Sequence, residues 1–196
     1  MKEFEMAVHV KGLVLKSRVE YVQKSFGAGG WDRVMAALAP EARAALKDGV
    51  LVSSWYPISV YVKMLCSIDQ TFGKGDLALC REMGRYAAQV ALSGVHKSFY
   101  REKDVQFVNR MTPVIWKQYY DSGEMTTESA GRGRAIIRIR GFAEPHPALC
   151  QATLGWLEGA NKTWGIEGVK VEEVTCQADG QECCTFAVTS SNSREG

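Results

Sequence analysis

Four residues near the end of the chain have the types and spacing of a metal site: Cys150, Glu173, Cys176 and Cys184, read from PHPALC and EEVTCQADGQECCTF. Zinc is held by four thiolate, imidazole or carboxylate groups, and a set of four protein ligands leaves no position for a reactive water, so such a site is structural rather than catalytic. The pattern C-x3-G-x3-C puts Cys176 and Cys184 on the two strands of a hairpin, with Gly180 supplying a turn conformation that a Cβ resists. Cys150 falls in the first turn of a helix after Pro147. It would fasten that helix to the hairpin, and the helix amino terminus favours its thiolate. Glu173, three residues before Cys176, lies on the opposite face of an ideal strand, so a bulge or a strand end has to bring it round. His146 is the spare ligand, completing a Cys3His set if Glu173 does not reach. The plainer reading of Cys176 and Cys184 is a pair of core thiols, because buried free cysteines are common. Cys183 faces away from Cys184 on an extended strand, and Cys66 and Cys80 sit in helical apolar patterns, so these three are packing residues.

A second group of residues bears on binding. His96, followed by Phe99 and Tyr100, lies between two core helices and can donate a hydrogen bond to a ligand, although a lone histidine there is more often structural. Tyr86, Phe107, Trp116 and Trp156 can line a pocket, since small-molecule sites are mostly apolar with a few polar groups. Taken singly, each reads as an ordinary core aromatic. Arg132, Arg134, Arg138 and Arg140 form the solvated face of a strand, and no stacking aromatics alternate with them, which argues against nucleic acid. The chain has neither the phosphate-binding nor the dinucleotide-binding glycine pattern, and no nucleophile–base arrangement is assignable. The expectation is a binding protein, not an enzyme.

The elements that must position these groups follow from periodicity. Met6 to Leu15 alternates as a strand and runs into the helical pattern Val19, Val22, Phe26. Short helices cover Trp31 to Leu38 and Pro40 to Leu46. After Pro57, Ile58, Tyr61, Val62, Leu65, Ile68 and Phe72 share one helix face, ended by Gly73 and Gly75. The next helix, Asp76 to Ser93, carries Cys80, Gly84, Ala87 and Ala91 as a small-residue seam that another helix can approach closely. A third, Lys103 to Tyr120, shows Val108, Thr112, Ile115 and Tyr119 on one stripe. A strand with buried Ala135, Ile137 and Ile139 follows, then a helix from Pro147 to about Gly165, then strands Val169 to Cys176 and Cys183 to Val188 joined through Asp179-Gly180. With 196 residues, 46% apolar and 23% charged, the chain fits one domain over 1–190, with a frayed tail at 191–196. A net charge of +2 points to no nucleic-acid or anionic-membrane partner. The acidic amino terminus lacks the apolar run of a secretory signal, and no later stretch spans a membrane, so the expected location is cytoplasmic. Six cysteines in such a compartment read as metal ligands and buried thiols rather than disulfides.

Cys150, Glu173-x2-Cys176, Gly180 and Cys184-x-Phe186 resemble the zinc-bearing end of the vinyl-4-reductase domain family, above all the aromatic-sensing domains of phenol- and toluene-responsive bacterial activators. KGLVLKSRVEYV, the SWYP segment, the YYDSGE segment and GWLEGA extend the resemblance over nearly the whole chain, to bacterial paralogues built on the same domain. The resemblance implies zinc as cofactor, held by Cys150, Glu173, Cys176 and Cys184 beside an effector pocket. It also implies an α+β fold with a helical layer packed on a small antiparallel sheet, in a superfamily that includes haem-NO-binding domains and TRAPP trafficking subunits. The implied function is a sensor or carrier of a small hydrophobic or aromatic molecule, a homodimer that signals through a separate partner protein. The alternative is a ligand-free interaction scaffold of TRAPP-like fold, with aromatics filling the pocket. The haem-NO-binding branch marks its porphyrin with Tyr-x-Ser-x-Arg. This chain has Tyr120-Asp-Ser122-Gly-Glu124, with an acid where the propionates need a cation, so haem is not implied.

Overall fold

The computed structural model describes residues 7–93, 105–131, 133–166 and 168–190, with the backbone alone for 105–110. A short strand, β1 (His9–Lys11), pairs antiparallel with β2 (Trp55–Pro57). Between them lie α1 (Gly12–Phe26), α2 (Gly30–Ala37) and α3 (Pro40–Leu46). The helical layer continues with α4 (Ile58–Phe72), α5 (Ala78–Ser93) and α6 (Val105–Tyr119). The second half holds β3 (Glu124–Ser129), β4 (Arg134–Arg140), α7 (Pro147–Thr163), β5 (Lys170–Thr175) and β6 (Cys183–Thr189). These strands form one antiparallel sheet in the order β3-β4-β6-β5. The architecture is α+β, a helical layer on a small antiparallel sheet.

Alternation explains the sheet. Met125, Ala135, Ile137, Ile139, Phe186, Val188 and Val171 are all buried on its helix-facing side, while Arg134 and Arg140 stay in solvent. Arg138 on the outer face pairs with Glu128 at 2.6 Å, so the arginine row is a solvated strand face; Arg132 lies outside the described residues.

The small-residue seam of α5 meets α7. A Cβ at Gly84 would overlap the Ala152 carbonyl oxygen and one at Gly155 the Arg81 carbonyl oxygen, so only glycine permits this approach. Glu158 on α7 then takes hydrogen bonds from both Arg81 and Arg85 of α5, the latter from Nε at 2.7 Å.

Two elements differ from their periodicity. The strand expected over Met6 to Leu15 shrinks to His9–Lys11, and the helix starts at Gly12, where the Gly12 and Leu13 amides bond to the Ser54 and Val52 carbonyls. Leu13 and Leu15 alternate in sequence, but Leu15 belongs to the helical stripe completed by Val19 and Val22. The three-residue β2 is too short to alternate, and β3 holds a single buried apolar residue, Met125, so neither announces itself.

Candidate functional site

The four groups picked out by spacing converge. One ligand atom from each of Cys150, Glu173, Cys176 and Cys184 lies within 4.8 Å of the others. Cys150 comes from the first turn of α7, where Pro147 occupies an early helical position. Its sulfur is 3.4 Å from that of Cys176 and 3.7 Å from that of Cys184. A register shift between Glu173 and Thr175 bulges β5, and this turns the Glu173 carboxylate to the same side as Cys176. The Glu173 Oε1 atom is buried without a hydrogen-bond partner. A short 3-10 turn, Gln177–Asp179, and Gly180 at φ 82° lead into β6, and the Gln177 amide donates to the Cys184 sulfur at 3.3 Å. The hydrogen bond between Cys150 and Cys184 holds the Cys150 thiol well up and brings that of Cys184 down to about 7. His146 does not join the set: it is the amino-terminal cap of α7, its Nδ1 accepting from the Ala148 amide at 3.1 Å. Cys183 points to Thr185, and Cys80 is buried in the core, as packing residues should be.

A cavity of about 180 Å³ lies between α1, α5, α6 and α7. Trp116 and Trp156 line it, with Val14, Ala87, Ile115 and Met125 among its apolar neighbours. The α6 stripe of Thr112, Ile115 and Tyr119 is the face turned to it. Trp116 stacks on Tyr120 at 4.1 Å between ring centres, and its Nε1–H donates to the Ser122 and Gly123 carbonyls at 3.3 Å. Tyr86 is no part of this lining. It meets Tyr21 edge to face at 5.5 Å, under the Lys24 ammonium, away from the lining in which Trp116 and Trp156 stand. His96 lies outside the described residues, and Phe107 belongs to α6 with its side chain outside them.

The wall from α1 is the part that spacing missed. Arg18 is 3% exposed and lines the cavity. It stands three residues after Leu15 and four before Val22, in the middle of the apolar stripe, so a cation at a core position was the available signal.

A scan against family models finds no match, and a search of curated proteins finds none. Solved structures do match. An H-NOX protein from S. oneidensis in the Fe(II)NO ligation state has a TM-score of 0.73 at 15% identity, over 93% of this chain and 99% of that one. An unliganded Fe(II) H-NOX mutant from K. algicida gives 0.69 at 13%, over 92% and 96%. A structure probing haem distortion in the H-NOX family gives 0.69 at 16%, over 93% and 95%. The chain therefore has the fold of haem-NO-binding domains. This finding overturns zinc as the cofactor: the three structures just named are described by Fe(II) or haem, not by zinc.

Haem, in turn, does not fit the described residues. The cavity is close to the ~150 Å³ that accommodates a single benzene ring, whereas a porphyrin has four pyrrole rings. Among the described residues no histidine or cysteine lines it. Burial pushes the Tyr119 hydroxyl up to about 12 and raises that of Tyr120 as well, so both are neutral phenols here. Glu124, in the place of the motif's arginine, is exposed opposite Arg140 in β4.

Proposed function

We propose that this chain is a small-molecule-binding sensor or carrier domain, of the vinyl-4-reductase type, that holds one small hydrophobic or aromatic molecule between its helices and acts by binding rather than catalysis. The observation that carries the reading is the cavity itself: two tryptophans and an apolar wall border a ring-sized space that a filled scaffold would lack. That space also favours a sensor over a ligand-free TRAPP-like scaffold. Ligand binding orders α1, α5 and α6 over the cavity and changes a surface read by a separate output protein or a second protomer. The test is thermal unfolding with phenol, toluene, indole and octan-1-ol. A ligand at a hundred times its Kd adds about 2.7 kcal/mol, a rise of roughly 5–10 °C in Tm for a domain of this size. An unmoved Tm across the panel sinks the proposal.

We also propose that Cys150, Glu173, Cys176 and Cys184 act together as metal ligands, tying α7 to the β5–β6 hairpin. The orphaned Glu173 oxygen beside three thiols supports this reading. Elemental assay of gently purified protein should return one ion per chain, lost in Cys184→Ala together with several degrees of Tm. A metal-free protein with an unchanged Tm in chelator counts against it.

A further inference from the structure

Among the described residues, Arg18 is a cation without an anion. Its Nη1–H donates to Ser17 Oγ at 2.9 Å and its Nη2–H to Tyr61 Oη at 2.7 Å, and its guanidinium lies over the Tyr61 ring at 5.6 Å. Both acceptors are neutral hydroxyls, and Tyr61 is fully buried. The Nε–H is buried and has no acceptor. No carboxylate lies within ion-pair distance of Arg18 among the described residues, although six other arginines or lysines of the helices and sheet have such partners.

A guanidinium stays charged under all physiological conditions, and a buried charge lacking a counter-charge is costly unless something pairs with it. Arg18 lines the ring-sized cavity with Trp116, Trp156 and Ile115. Lys16 and Glu20, both partly exposed, also border the chamber, so Arg18 is its buried, under-bonded cation set against an apolar wall. Water can accept from the Nε–H but brings no counter-charge and gains nothing from the wall: the wall gains from an apolar body, and the guanidinium from an anionic oxygen pair matching its planar fork.

We propose that the molecule held in this cavity is a small apolar carboxylic acid in its ionised form, its ring or short chain against the tryptophans and its carboxylate paired with Arg18. This rests on the cavity being a ligand site, as proposed above, and adds the chemical class. It also gives Arg18 a specificity role: neutral molecules of the same shape leave the cation unpaired, and amines are repelled by it.

Phenylacetate and 2-phenylethanol differ only in the carboxylate, and calorimetric titration of the full chain with each at neutral pH is the test. The wild type should bind phenylacetate at least about tenfold more tightly than 2-phenylethanol, the factor expected for hydrogen bonds to a charged group. Arg18→Met, which keeps an apolar stem, should lose that preference while its affinity for 2-phenylethanol stays within about threefold. Arg18→Lys, which keeps the charge without the fork, should retain part of it. Equal or tighter binding of the alcohol to the wild type overturns the acid assignment and leaves the cavity reading standing. A preference for the acid that survives in Arg18→Met overturns it as well. Should neither compound bind, the cavity reading falls and takes the inference with it. If Arg18→Met does not fold, the wild-type ratio decides alone.

Discussion

Asp69 shows how one side chain can hold a junction between elements. Fully buried at the end of α4, it accepts the Leu77 amide at 2.9 Å and the Leu79 amide at 3.0 Å. These bonds fix the start of α5, where Leu77 adopts a left-handed φ of 65°. Asp69→Ala strands two backbone donors and should lower unfolding stability by about 2 kcal/mol in urea titration, with Asp69→Asn losing less. The cysteine cluster was legible at this scale because ligand chemistry restricts the residue types, and even the need for a bulge at Glu173 followed from strand period. The choice of Glu173 over His146 was not legible, since it depends on His146 being used as a helix cap. Arg18 was passed over, although a charged residue between Leu15 and Val22 breaks the apolar stripe visibly in one dimension. That Tyr86 stands apart from Trp116 and Trp156 is not legible, because an aromatic on a helix gives no sign of which neighbour it meets, here Tyr21.

Between elements, the α5–α7 contact does most to set the shape of the helical layer. Gly155→Ala puts a Cβ into the Arg81 carbonyl, which is backbone and cannot turn aside, so α7 has to shift off α5. A loss of about 3 kcal/mol in urea-induced unfolding is expected. The same contact carries a pH dependence. Burial alone would raise the Glu158 carboxyl, but hydrogen bonds from Arg81 and Arg85 outweigh it and hold the group below its ordinary value. With the folded pKa depressed, the stabilisation is complete above the unfolded carboxylate value of about 4.3 and fades as pH falls through the folded one. The urea midpoint should therefore drop between about pH 6 and about pH 3.5, and by less in Glu158→Gln than in the wild type. Long elements were readable in advance: α4 starts after Pro57 and ends before Gly73 as the apolar face requires, and Gly84 marked the seam. The three-residue strands β1 and β2 were not, because they exist only by pairing with each other.

For the molecule as a whole, the cavity is a packing defect kept at the meeting of four helices. Ala87 is 8% exposed and lines it, so Ala87→Leu should fill part of the space, raise stability by about 1 kcal/mol and abolish the thermal shift from added ligand. A variant that is stabilised and still binds would place the ligand elsewhere. No helix among the described residues is long and apolar enough to cross a membrane. By itself the sequence determined the fold class, the principal helices, the late hairpin and the residues of the cysteine cluster, because periodicity, capping and ligand chemistry act over a few neighbouring positions. Only the tertiary structure decided that Trp116 and Trp156 share a chamber while Tyr86 does not, that Arg18 lines it with no anion partner among the described residues, and that the chamber is ring-sized. Those facts depend on how α1, α5, α6 and α7 cross, and the space left between packed helices is a property of no single one of them.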